Sequence, residues 1–185
     1  MCFVVKNQRE DTTVTLLLRR GLLAILPIVG LIFIGLAHAE TAAPKKQTTG
    51  CDMKQVDRGR YLSRIAGCND CHTPGFLFTE GNVPENLWLT GDKFGWRGPW
   101  GTTYATNLRS FVGAMMEDQW VAMARVLKAR PPMPWFNVNL MHDEDLRAIY
   151  QFIRFLGPGG ESSPDYVPPG QEPRTPYALF PSPKK

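Results

Sequence analysis

Two thiols and an imidazole lie within five residues, Cys68-Asn69-Asp70-Cys71-His72, and form the most chemically specific arrangement in this 185-residue chain. The C-x-x-C-H spacing is a signature of covalent haem attachment. In a tight helical turn, two thiols three positions apart can reach the two vinyl groups of one porphyrin, while the adjacent imidazole reaches the iron. A C-x-x-C pair alone also suits thioredoxin-type redox chemistry or half of a zinc site. The first needs a βαβ setting that the flanking sequence does not offer, and the second needs another ligand pair. Cys2 and Cys51 stand alone, and the other histidines are His38 and His142. The expected cofactor is one covalently attached haem c, held by Cys68, Cys71 and His72.

A second axial iron ligand has to come from elsewhere, and Met133 is the expected one. In Arg130-Pro131-Pro132-Met133-Pro134-Trp135 the flanking prolines fix an extended loop that can hold a thioether at low entropy cost. Met141 is the alternative, and His142 would give a bis-histidine iron. Met115, Met116 and Met123 belong to or border a helix, where methionine usually fills core. Phe76, Phe78, Trp88, Phe94, Trp96, Trp100 and Tyr104 are the expected apolar walls. Trp96, Arg97, Tyr104 and Asn107 are candidate hydrogen-bond donors to the propionates or the methionine sulfur.

These groups require a helical frame. From Asp57 the sequence places Tyr61, Leu62 and Ile65 on one helical face, with Gly67 as terminator, so this helix delivers the cysteine motif. Residues 73 to 110 combine glycines, prolines and aromatics without sustained periodicity and read as loops wrapping a prosthetic group. Trp120, Met123, Ala124 and Leu127 recur at helical spacing within a helix over 116–128, a stripe read as core. The last helix starts at Asp143-Glu144-Asp145, buries Leu146, Ile149, Tyr150, Ile153 and Leu156, and stops at Gly157-Pro158. Beyond it, eight prolines in 28 residues exclude regular structure and favour an extended strap. Its Tyr166, Tyr177, Leu179 and Phe180 would pack on their own domain in preference to docking a partner.

Residues 1–39 read as a signal peptide. Arg19-Arg20 precede an apolar run from Gly21 to Leu36, and Ala37-His38-Ala39 fits signal-peptidase cleavage. An uncleaved membrane anchor is the alternative. Export by the Sec route to the periplasm is expected, since haem is attached outside the cytoplasm. The expected organisation is then a flexible leader at 40–56, a haem domain at 57–157 and a proline-rich tail at 158–185. The whole chain carries a formal charge of +4. Removing residues 1–39 leaves only a small positive charge, which two ionised propionates would bring near zero, and nothing suggests a nucleic-acid partner.

From Asp57 to Leu156 the chain resembles a class I cytochrome c. More narrowly, Gly101 to Asn107, Met133-Pro134-Trp135-Phe136 and Met141 to Tyr150 resemble haem domains in cytochrome subunits of bacterial membrane-associated alcohol and aldehyde dehydrogenases. Those subunits usually carry several such domains, whereas this chain has one. The resemblance implies an all-α cytochrome c fold, a small helical domain wrapped around one covalently bound haem. It also implies an axial Met133 and crossed terminal helices, with Gly59 and Tyr61 meeting the Tyr150 face. His142 stands where the resemblance would place a capping threonine or serine, which costs the helix about 1 kcal/mol unless Asp143 takes over. The expected function is single-electron transfer with a dehydrogenase, an oxidase or a quinol-oxidising complex as redox partner. A peroxidase-like enzyme or gas sensor with an open iron face is the alternative, and the expected chain is not itself an enzyme.

Overall fold

The computed structural model describes residues 52–181. The expected signal segment and all but the end of the leader lie outside them. Among the described residues no helix is long and apolar enough to cross a membrane.

Helix α1 (Met53–Ile65) begins where the Asp52 carboxylate accepts the Lys54 N–H at 3.0 Å, an N-cap five residues before the sequence predicted order. Its buried face is Val56, Gly59 and Ser63, not the larger residues. Tyr61 and Ile65 are each 60% exposed, which corrects both the predicted apolar face and the predicted Tyr61 contact. The reason is the close approach of α6 (Asp143–Leu156): a β-carbon on Gly59 would overlap the Ala148 carbonyl and lie 2.8 Å from Phe152 Cβ. Small residues on α1 bring the two backbones together, and Leu146, Ile149, Phe152 and Ile153 of α6 fill the core.

Gly67, at φ +73°, takes the left-handed conformation that turns the chain out of α1 and into α2 (Cys68–His72). α3 (Leu108–Gly113), α4 (Glu117–Val126) and α5 (Trp135–Leu140) follow, and α6 closes the helical set with Gly157 as its C-cap. The acidic start of α6 is as predicted. His142 occupies its N-cap without a side-chain bond, and Asp143 pairs with Arg125 instead of capping.

The fold is not all-α. Residues 95–104 form a hairpin, β1 (Gly95–Gly98) and β2 (Gly101–Tyr104), joined by Pro99-Trp100. Gly101, at φ +95°, makes the turn, and a side chain there would strike the Val167 carbonyl. The tail adds β3 (Tyr177–Leu179) parallel to β1, giving a mixed three-stranded sheet in the order β2-β1-β3 beside six helices. The tail therefore supplies regular structure that its proline content was expected to exclude. Its prolines flank the strand, where no ladder hydrogen bond needs their missing N–H.

Candidate functional site

A cavity of about 760 Å³ lies among α2, β2, α3, α4, α5 and the tail. That size falls within the roughly 300–1,000 Å³ of small-molecule and cofactor pockets. Cys68, Cys71 and His72 line it, as do Met133, Met141, Trp96, Tyr104 and Asn107, so the fold gathers the attachment motif, both candidate methionines and three of the nominated pocket residues. Ala66, Leu108, Trp120, Leu127, Val138, Leu146 and Ile149 add apolar wall.

His72 is 8% exposed, and its Nδ1 lies 2.7 Å from the Thr106 carbonyl oxygen. A carbonyl only accepts, so Nδ1 carries the hydrogen and Nε2 keeps a free lone pair. Burial holds this imidazole below the ordinary histidine value, with the Thr106 bond acting in the opposite direction. The ring is thus neutral, fixed in orientation and ready to donate through Nε2, the state a metal-ligating histidine requires.

Cys68 and Cys71 are free thiols, both half-buried. Burial pushes each up to about 11, aided by the nearby Asp70 carboxylate. They therefore stand as S–H groups at neutral pH. Among the described residues no three His, Cys, Asp or Glu side chains gather into a group that would hold a metal ion, so the second ligand pair a structural zinc needs is not assembled here.

The two methionines come from the segment around α5. Thr103 Oγ1 donates to the Pro131 carbonyl at 2.7 Å, fixing the loop before Met133 against β2. Asn139 donates to the carbonyls of Ala124 (2.6 Å) and Leu127 (3.3 Å), and Arg125 bonds the Asn139 carbonyl and Asp143. These contacts tie α5 and the start of α6 to α4, on either side of Met141. His142 is exposed and does not line the cavity.

Several expected roles are corrected. Of the seven predicted aromatic walls, only Trp96 and Tyr104 face the cavity. Phe76 and Trp88 instead pack edge-to-face in the helical core, where Trp88 also meets Phe152, while Phe78 is 73% exposed and meets Phe94 edge-to-face. The α4 stripe belongs to the core as expected, with Trp120 and Ala124 buried and Met123 packed against them, but Trp120, Met123 and Leu127 also line the cavity; the Trp120 indole N–H donates to the Leu146 carbonyl at 2.8 Å and so fixes the ring. Arg97 pairs with Glu172 and lies over Tyr177, away from the cavity. Asn107 lines the cavity, but both amide hydrogens go to the tail carbonyls of Gly159 (2.8 Å) and Glu161 (3.2 Å), leaving none for a bound group.

The contribution that sequence reasoning missed is the tail. Ser162, Ser163, Pro164, Asp165 and Tyr166 form one wall of the cavity. Tyr166 donates to the Trp100 carbonyl at 2.8 Å, and the Arg130 guanidinium lies 3.9 Å from the centre of the Tyr166 ring. The local signal was thin: a tyrosine two residues before a Pro-Pro pair marks an ordered strap but not what it covers.

Comparison with known proteins returns no match to this chain, whether among family models, curated proteins or solved structures.

Proposed function

We propose that this chain is an exported carrier of single electrons that holds one covalently attached haem c, working as a stand-alone carrier or as a subunit of a respiratory or dehydrogenase-linked complex. One observation carries the reading: a single, largely apolar cavity is lined at once by both thiols of C-x-x-C-H, by an imidazole already held in the metal-donating tautomer, and by two thioether sulfurs. The donor set fits the group. Each thiol would add its S–H across a vinyl double bond, sulfur to carbon and hydrogen to the neighbouring carbon, forming a thioether. His72 Nε2 and Met133 Sδ would supply the lone pairs that hold the iron. When bound, the haem supplies a one-electron ferric/ferrous couple, and thioether ligation together with an apolar surround raises its potential.

The chain's own residues then do two jobs. They surround the reacting centre with apolar side chains from Trp120, Leu146 and Ile149 and with the tail wall, and they would keep both donors oriented so that little reorganises as charge changes. An enzymatic reading lacks a comparable observation, because His142, the histidine that would serve acid-base work, stands outside the cavity. Export, the redox partners named above and a periplasmic location belong to the same proposal.

The test is to produce the chain in a host that attaches haem c, then to measure intact mass under denaturing conditions and the ferric absorption spectrum. A mass increase of one haem, with the weak far-red band of methionine sulfur on ferric iron, supports the carrier. A high-spin spectrum that shifts with cyanide would replace it with the open-site enzyme or sensor. A chain without covalent haem would end both readings.

A further inference from the structure

The carbonyl that orients His72 belongs to Thr106, an exposed residue in a short stretch between β2 and α3. Left to itself such a segment would not hold an acceptor steadily. It is held on both sides by the C-terminal tail. Before Thr106, the Ala105 carbonyl accepts from Ser163 Oγ at 2.6 Å and from the Asp92 N–H at 3.1 Å. After it, Asn107 is 4% exposed and spends its whole side chain as a clamp. Its Oδ1 caps α3 by accepting the Ser110 N–H at 3.1 Å, while its Nδ2 donates to Gly159 and Glu161.

The same knot closes on His72 from its other end. The Gly91 N–H donates to the His72 carbonyl at 2.9 Å. Gly91 has φ +77°, and a β-carbon there would lie 2.6 Å from the Asn107 nitrogen and overlap Ser163 Oγ. Four segments, namely the end of α2, the chain at Gly91, residues 105–107 and tail residues 159–163, therefore meet beside the imidazole's hydrogen-bond acceptor, with no room for a side chain at Gly91.

We propose that the tail segment Gly159–Ser163, acting through Asn107 and Ser163, is a positioning element that sets the strength of the His72 Nδ1–H bond and through it the reduction potential. This rests on the haem-carrier reading above. A firm bond from Nδ1–H makes the imidazole a stronger donor at Nε2 and favours the ferric state; a slack one weakens that donation and raises the potential.

Asn107→Ser and Ser163→Ala in the full-length protein test this. Serine retains a capping oxygen for the Ser110 N–H, so α3 keeps its start while both links to the tail are removed. Three quantities are read: covalent haem by mass, midpoint potential, and exchange of the His72 Nδ1 hydrogen with deuterium by NMR of the ferrous protein. The expected result is unchanged attachment, a raised potential, and Nδ1–H exchange faster by about tenfold in each variant. Parent values of both potential and exchange in haem-loaded variants would overturn the clamp and leave the carrier reading intact. If the parent carries no covalent haem, the carrier reading falls by itself. Exchange of the same hydrogen in that haem-free chain then decides whether the tail holds the imidazole: parent rates in both variants overturn it.

Discussion

Gly59 on α1 meets the carbonyl of Ala148 on α6 so closely that no side chain fits between them. Replacing Gly59 with alanine adds one methyl group at the tightest point of the main helix pair. The gain in helix propensity, about 1 kcal/mol, works against an overpacking cost of about 1–3 kcal/mol. Because the obstructing atoms are backbone, the cost is expected to win, and urea unfolding of Gly59→Ala should show a lower midpoint. An unchanged midpoint would mean that the helices slide apart freely.

Met133 and Met141 both face the cavity, and their exchange for alanine separates their roles. Met133→Ala is expected to abolish the far-red ferric band and to lower the potential, since a thioether donor is lost. Met141→Ala should keep the band, losing only packing. The reverse pattern would transfer the axial role to Met141.

Arg109 is 6% exposed and bonds three backbone carbonyls, those of Trp88 (2.8 Å), Asn86 (2.9 Å) and Glu85 (3.4 Å). Burial lowers its pKa, yet these acceptors keep the buried cation tolerable. Arg109→Met preserves much of the apolar stem and orphans the carbonyls, so a loss of about 1–3 kcal/mol is expected in denaturant unfolding. A neutral result would show that water takes the guanidinium's place.

The Arg125 guanidinium beside Asp143 holds that carboxyl below the ordinary carboxylate value of 3.8. A folded-state value below the unfolded one means that stability is fully present above the unfolded value and lost as pH falls through the folded one. Thermal stability should therefore drop in acid. Asp143→Asn should flatten part of that drop while changing little near neutrality, because the pair is exposed and solvent-screened. A parallel acid profile in parent and variant would rule the pair out as a contributor.

Legibility in the sequence followed locality. The motif, the charged start of α6 and its Gly157 stop depend on neighbours a few positions away, and the sequence placed them correctly. The hairpin carried a local signal as well, a two-residue Pro99-Trp100 loop before Thr102-Thr103-Tyr104, but the surrounding glycines read as loop. β3 carried almost none, since three residues between prolines become a strand only by pairing with β1 about 80 positions earlier. The buried face of α1 was missed for a related reason. Hydrophobicity selects Tyr61 and Ile65, whereas close approach to α6 selects Gly59 and Ser63. Aromatic residues posed the same problem: nothing in Trp88, Trp96 or Trp120 taken alone says which faces core and which faces cavity.

The tail wall has a consequence for the order in which the molecule is made. Cys68–His72 and Ser162–Tyr166 border one cavity, yet some ninety residues of synthesis separate them. A chain that emerges N-terminus first presents its thiols and imidazole well before the residues that will cover them exist. For that interval the cavity lacks the wall that Ser162–Tyr166 supply. Whatever enters the cavity meets that wall only once residues 162–166 have emerged.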